Sequence, residues 1–498
     1  MTGPASRRVL RGALAKLLED ARVLGTCRLR GAKFRPGREL RAYFDVRLDA
    51  PGRRGVARQV AVTWKPAKRF SGLEGAEEPE AEALGRGWAA PFRGLHAERA
   101  SWGMRLLIAP LDPPFPELGH LLDPRSAGEV INGDVARSTA TLVRYIPGRR
   151  HLLRYDPAPG DPSGRPLFLK LYADDTPHRL LAVMETAAEW LASSNMPHTL
   201  VTPAPVPPHP SALVYPRAEG APLSSLLSGR GSKGAETLRE TGELLRTLQQ
   251  VPVGRLAGLK VHELSDQLLV IARAGEHIGP LCATAGHALE WVLGRAEEIN
   301  ASLSQEPHAL VHGDFKADHV FVEGSRLSLL DFDNCRLADP ALDAGKMLAD
   351  LQWGHAMRGW SGLEEAQAAF LEGYLKSTDP MRLARARLWE ALFIAKAAAR
   401  RPPLFDREWK VVTEKLLARA EAALRRIRRQ RPPDALPAAQ LVRALERNKV
   451  YLLSRIDPSI VEDLDMIHVA APEELARLAR QHRSCIVLAN APHVAVKS

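Results

Sequence analysis

The stretch 310–335, "LVHGDFKADHVFVEGSRLSLLDFDNC", sets His312 two residues before Asp314, His319 five residues after it and Asp331 twelve further on. Phosphoryl transfer to a hydroxyl needs parts at such spacing. One carboxylate must hold the acceptor hydroxyl and take its proton, and an oxygen-rich ligand set must hold Mg²⁺ against nucleotide phosphates. Asp314 suits the first role, and Asp331, on the apolar strand "LSLLDFD", suits the second. His-Gly-Asp alone is also an ordinary turn with a buried hydrogen bond. The "LLDFD" segment and "LADPALDAG" beyond it favour the chemical reading, because several levels then agree. Asp333 reads equally as a second metal contact or as a solvated strand residue.

On these residues the chain resembles the aminoglycoside phosphotransferase/choline kinase-like family over about 140–430. The resemblance implies an α+β, bilobal protein-kinase-like fold and ATP as donor, with Mg²⁺, or Mn²⁺ in its place. It implies Asp314 as catalytic base, Asp331 as the main metal ligand, His319 at the position of a metal-ligand asparagine, and His312 as structural support. Asp343, in "LADPALDAG", would brace the catalytic loop without touching substrate. Lys170 in "LFLKLY" falls where the family grips the α- and β-phosphates, with Glu185 of the next helix orienting it and Glu189, one turn on, as the substitute. An ordinary surface pair is the other reading of Lys170 and Glu185. No GxGxxG precedes Lys170, so "GDPSGRP" at 160–166 would have to cover the phosphates.

His319 is the departure from that pattern. A neutral imidazole offers nitrogen, which suits zinc, iron or nickel better than a hard cation. Three outcomes stand open: Mg²⁺ held through Asp331 and waters with His319 behind them, Mn²⁺ at the site, or weak nucleotide binding without chemistry. Asp318 is a further candidate oxygen ligand. The expectation is an ATP-dependent small-molecule kinase acting on a hydroxyl. The alternative is a pseudokinase serving as a nucleotide-binding or scaffold module.

Elements able to position these residues follow from pattern. Residues 33–66 and 144–173 each read as Pro-Gly-Arg, alternating apolar and polar residues, a Gly/Pro turn and an apolar strand with a lysine, so both predict β-hairpins and suggest a duplicated strand unit. Lys65 repeats the place of Lys170 in its hairpin, but no helix glutamate follows it, and it reads as structural. The prolines of "LLIAPLDPPFPELGHLLDP" predict an ordered connector packed by Leu and Phe. "ADDTPHRLLAVMETAAEWLAS" predicts a helix, "ALVYP" a strand and "RAEG" a turn at a hinge; helices should follow over 233–306, 341–376, 380–400 and 407–430. The domains expected are a β-rich cap at 1–135, a small lobe at 136–220, a mostly helical large lobe at 221–433 and a small α/β tail at 434–498. The tail resembles the end of nickel-pincer lactate racemase-like proteins over some 50 residues, without a catalytic motif, and no racemase activity is carried over.

Composition limits the partners. With 45% hydrophobic residues, 26% charged residues, 9 Trp, 12 Phe and 7 Tyr among 498, the chain has enough apolar residues for several packed cores. No apolar run reaches the length of a membrane span, and Leu10, Leu14, Leu17 and Leu18 predict an amphipathic surface helix in place of a signal peptide. Cys27, Cys282, Cys335 and Cys485 form no CxxC pair, which points to a reducing, cytoplasmic setting. The net charge of +11 favours anionic partners and fits poorly with cationic aminoglycosides, so the acceptor is expected to be a neutral or anionic small molecule such as a sugar. The basic run "AALRRIRRQRPP" lacks interleaved aromatics and reads as a solvated helix end, which argues against nucleic acid. Oligomeric state is open.

Overall fold

Alternation drives the N-terminal half. In "RAYFDVRL" every second residue turns inward, so Ala42, Phe44, Val46 and Leu48 are buried while their neighbours face out. A computed structural model describes residues 4–429 and 451–481, apart from 36, 50–55, 132–134, 161–163, 208, 228–231, 257, 377–380, 403–405, 454–457 and 464–465. Strands β1 (Leu24–Arg35), β2 (Glu39–Leu48), β3 (Val56–Trp64), β4 (His96–Arg99) and β5 (Met104–Ile108) form an antiparallel sheet in the order β1-β2-β3-β5-β4. The helix Pro4–Leu17 and the residue after it add Leu10, Leu14 and Leu18 to the core of this sheet.

A second sheet repeats the plan. Strands β6 (Thr139–Ile146), β7 (Arg150–Asp156) and β8 (Leu167–Tyr172) are followed by the helix Thr176–Ser193, then by β9 (Thr199–Leu200), β10 (Ala204–Val206) and β11 (His209–Pro216). The antiparallel order is β10-β11-β8-β7-β6. Leaving aside β9, which pairs elsewhere, both sheets run first-second-third-fifth-fourth, with a helix between third and fourth; in the first that helix is Glu77–Gly85. Lys65 lies one residue past β3, its N–H donating to the Gly103 carbonyl at 2.9 Å.

One hydrophobic core serves both sheets. Val46, Val60, Leu106 and Ile108 from the first belong to the same cluster as Tyr145, Leu153, Tyr155, Leu169 and Leu171 from the second. Arg30 adds a hydrogen bond to the Val143 carbonyl at 2.9 Å. The expected connector is ordered and packed by Leu111, Phe115, Leu118 and Leu121, but it begins inside a central strand, β5, because its prolines come only after Ile108.

Beyond β11 the chain passes through the turn at Gly220 into β12 (Ala221–Pro222), which pairs with β15 (Val320–Glu323). Helices Ser232–Leu248, Leu264–Gly275, Ala283–Ala301, Ala341–Arg358, Leu363–Leu375, Met381–Arg400 and Trp409–Arg429 build the large lobe, with β13 (Val261–His262), β14 (Ala309–Val311), β16 (Arg326–Leu329) and β17 (Arg336–Ala338). Ala341–Arg358 and Met381–Arg400 are buried on nearly every face, as expected of helices at the centre of a bundle. Asp339 ties them together, accepting from the Ala341 N–H at 2.9 Å and the Trp389 indole at 2.7 Å. The fold is thus α+β, a β-rich N-terminal part followed by a helical part.

The chain divides into two compact units, Met1–Arg426 and Ile427–Ser498. In the second, β18 (Tyr451–Leu453) and β19 (Ile467–Val469) pair in parallel beside helices Pro458–Glu462 and Pro472–Gln481. The strand expected in "SCIVLAN" and Cys485 lie outside the described residues. Among those described, no helix is long and apolar enough to cross a membrane, and Cys27, Cys282 and Cys335 are free thiols.

Candidate active site

The loop between β14 and β15 carries His312, Asp314 and His319. Asp343, fully buried at the start of its helix, accepts hydrogen bonds from the backbone N–H groups of His312 and Gly313, the latter at 2.9 Å. Gly313 has φ 77°, and a Cβ there would stand 2.2 Å from the Asn334 carbonyl, so only glycine fits the turn. His312 contacts the Leu330 carbonyl through Nε2 at 2.9 Å, and the Leu330 N–H donates to His319 O at 3.1 Å. Both bonds fix the loop against the strand end that presents Asp331. Asp331 itself has φ 71° and ψ 56°, a left-handed conformation costly for a non-glycine residue and typical of functional sites.

Asp314 is ringed by cations. Lys316 Nζ lies 2.7 Å away and Lys346 Nζ 3.5 Å away. Burial favours the neutral acid, but Lys346 and Lys316 outweigh it and hold the pKa at about 2, so the group is an anionic acceptor at neutral pH. The same helix supplies Asp350, which accepts from the Ala317 N–H at 3.3 Å.

His319 stands between the two acids, with Nε2 3.3 Å from Asp331 and Nδ1 3.9 Å from Asp314. Burial lowers its pKa to about 3 against the pull of Asp331, leaving the imidazole neutral. Its Nδ1 is buried without a hydrogen-bond partner. Asp318 is turned aside to Arg358 at 3.3 Å and does not join this group.

Lys170, on β8, reaches Asp331 at 2.6 Å and Asp333 at 3.0 Å. Glu185 is exposed on the helix Thr176–Ser193, and Glu189 pairs with Arg255 at 2.8 Å, so the structure brings neither to Lys170. The reason is the helix's apolar stripe, Leu180, Val183, Met184, Ala187 and Leu191, which turns the face carrying both glutamates outward. Asp333 takes the place expected of Glu185. Its carboxylate is 6% exposed and accepts from Lys170, from Arg150 at 3.1 Å and from the Tyr172 hydroxyl at 2.9 Å. It is therefore not a solvated strand residue.

The turn that closes over this end of the sheet also differs from expectation. In the β7–β8 register Arg150 faces Tyr172 and Lys170 faces Leu152, so the turn between β6 and β7 lies nearest Lys170. Of "GDPSGRP", residues 161–163 lie outside the described residues, and Pro166 is at the opposite end, accepting from the Arg217 N–H of the hinge at 3.2 Å. The β6–β7 turn is held from the N-terminal part. Asp112, buried after β5, accepts from the Gly148 N–H at 2.8 Å and meets His151 Nε2 at 2.8 Å.

A cleft of about 460 Å³ runs from the hinge, Tyr215 to Ala218, past Phe168 and Phe321 to Lys170, Asp331 and Asp333. Its apolar hinge end and charged far end suit a planar base joined to phosphates.

Residues 160–391 match the model of the APH phosphotransferase enzyme family. The matched segment contains Lys170, Asp314, Asp331 and Asp343. Solved structures similar to the chain include a spectinomycin phosphotransferase in complex with ADP and spectinomycin, at 14% identity and TM-score 0.41 over 57% of this chain and 93% of that one. A choline/ethanolamine kinase family protein from Mesorhizobium loti is similar at 16% identity and TM-score 0.40, over 61% and 92% of the two chains. Plasmodium vivax ethanolamine kinase is similar at 11% identity and TM-score 0.43, over 72% and 99%. No curated protein matches the sequence.

Sequence reasoning missed Lys316, Lys346, Arg150, Tyr172 and Asp112. Lys316 lies inside the quoted motif and could have been found there, two residues past the base candidate. The others come together only through the fold.

Proposed function

We propose that the protein is an ATP-dependent small-molecule kinase that transfers the γ-phosphoryl group to a hydroxyl of a sugar-like acceptor. The observation that carries this is the meeting of Lys170 and Asp331 at the charged end of the cleft, with Asp314 linked to Asp331 through His319. The acceptor hydroxyl donates to Asp314, which orients its oxygen toward phosphorus and takes its proton as the new P–O bond forms. Lys316 and Lys346 keep Asp314 anionic and stand beside the charge that develops on the transferred group. Lys170 and Arg150, pre-aligned by Asp333, grip the donor phosphates.

A divalent cation fits beside Asp331. Its second carboxylate oxygen faces His319 Nε2, and the unpartnered Nδ1 of that ring, which carries the lone pair when Nε2 holds the proton, is the kind of orphaned acceptor a cation or its water would satisfy. Among the described residues no three His, Cys, Asp or Glu side chains converge as a complete ligand set, so phosphate oxygens and water would fill the shell around Asp331. When bound, Mg²⁺ or Mn²⁺ would neutralise charge on the β- and γ-phosphates. His319 also keeps the pseudokinase reading in view, because a nitrogen ligand binds a hard cation weakly.

The test is calorimetry with ATP, with and without Mg²⁺ or Mn²⁺, on wild type, Asp331→Ala and His319→Asn, followed by an acceptor screen with Asp314→Asn as control. Metal-dependent binding lost in Asp331→Ala, with transfer reduced by about 10²–10⁴-fold in Asp314→Asn, is expected. Binding that appears only in His319→Asn would instead identify a pseudokinase.

A further inference from the structure

The turn nearest Lys170 has no backbone donors to spare. Pro147 lacks an N–H, the Gly148 N–H is given to Asp112 at 2.8 Å, and the Arg149 N–H is given to the Ile146 carbonyl at 3.1 Å. A glycine-rich turn holds phosphate with such N–H groups, whereas this one spends them on a buried carboxylate and on itself. An anion beneath it has to be held by side chains.

Strand β6 supplies one through a break in its pairing. Leu142 faces Leu153 and Arg144 faces Leu152, so Val143 is an extra residue with no partner on β7. Regular pairing would set Arg144 opposite the buried His151 and point it into the core shared with the first sheet. The bulge turns it instead to the cleft, which it lines with Leu152 and Lys170. Arg144, Leu152 and Lys170 thus form one row across β6, β7 and β8. Neighbouring strands lie about 4.8 Å apart, so the two cations at the ends of the row are rooted about 10 Å from each other. Arg150 flanks the row on the side of the turn. The bulge itself is pinned from the first sheet, where Arg30 donates to the Val143 carbonyl at 2.9 Å and Gln59 Nε2 donates to the Leu142 carbonyl.

The other cations of this face are already engaged. Lys170 is shared between Asp331 and Asp333, Arg150 takes the second oxygen of Asp333, and Arg154, toward the hinge, pairs with Asp156. The Arg144 guanidinium has no hydrogen bond or ion pair among the described residues. A planar fork left unpaired, in line with the lysine that meets Asp331, suits two phosphate oxygens at once.

We propose that Arg144 binds the phosphates of the donor nucleotide beside Lys170 and Arg150, doing with a side chain what a glycine-rich turn does with its backbone. Arg30 and Gln59 position it by holding the β6 bulge. This deepens the kinase reading and rests on it.

The experiment uses the full chain with Mg²⁺ and compares AMP-PNP with adenosine by calorimetry, so that the contribution of the phosphates is read separately from that of the base and ribose. Arg144→Ala is expected to raise Kd for AMP-PNP about tenfold or more and to leave that for adenosine within about twofold. Arg144→Lys, which keeps the charge and loses the fork, should fall between wild type and Arg144→Ala. Arg30→Ala should give a smaller rise for AMP-PNP, and no further rise when added to Arg144→Ala, because its effect passes through that residue. An AMP-PNP affinity indifferent to Arg144→Ala would overturn the proposal, as would an equal loss for adenosine, which would make Arg144 a support of the cleft's shape. A rise from Arg30→Ala that persists in the Arg144→Ala background would overturn the positioning role. Wild-type protein that binds adenosine and AMP-PNP equally, or neither, would instead overturn the kinase reading.

Discussion

At the scale of single residues the centre of the site is a neutral histidine between two carboxylates. His319 has a folded pKa of about 3, below its ordinary value near 6.5, so the unfolded chain binds a proton there that the folded chain does not. Stability from this group is complete above about pH 6.5 and is lost as pH falls toward 3. Between pH 7 and 5.5 the loss amounts to about 1 kcal/mol. The expected result is that urea denaturation shows His319→Asn losing less stability than wild type over that interval; equal losses would mean the ring is already protonated in the fold. Asp314 has the same sign in a lower window. Its folded pKa of about 2 gives stability that is present above about pH 4 and lost only below it. Neither group predicts a change in transfer rate between pH 6.5 and 8.

The loop and strand that carry His312, Asp314 and Asp331 were legible because they are consecutive, so one stretch of sequence holds both the residues and their spacing. Lys170 was legible as a lysine on a strand, but its partner was not. Asp333 lies 163 residues away in sequence from Lys170, and nothing local marks it. The apolar stripe of the helix Thr176–Ser193, Leu180, Val183, Met184, Ala187 and Leu191, does carry in the sequence the information that Glu185 faces outward.

At the scale of elements, strand register decides which turn lies nearest Lys170. Two glycine-containing turns flank β7, and composition cannot rank them; the pairing of Arg150 with Tyr172 does. The chosen turn is clamped by Asp112 from a different sheet, through the Gly148 N–H and the buried His151. Asp112→Ala leaves both donors without their acceptor. It is expected to raise KM for ATP about tenfold through lost positioning, with kcat changed less, and to lower stability by about 1–3 kcal/mol. Steady-state kinetics and thermal unfolding check the two parts. An unchanged KM would show that the turn keeps its shape unaided.

At the scale of the whole molecule, the family match covers residues 160–391, yet the structure does not break at 160. Tyr145, Leu153, Tyr155, Leu169 and Leu171 belong to one buried cluster with Val46, Val60, Leu106 and Ile108, and Tyr155 donates to the Leu121 carbonyl at 2.6 Å. A chain shortened to begin at 136 would expose that surface to water, at about 25 cal/mol for each Å². The expected outcome is an insoluble product, or a soluble one that binds the dye ANS and lacks a cooperative thermal transition. A well-folded fragment that binds ATP would show that the first sheet is dispensable.

The shared core also bears on how such a chain can change over time. Two sheets of the same strand order that share one hydrophobic core cannot drift apart in sequence independently, because a larger side chain at Val60 must be answered by a smaller one elsewhere in that core. In descendants of this gene the marks of divergence in the second sheet should therefore be mirrored in the segment ahead of it, and an insertion in either would have to be accommodated by both.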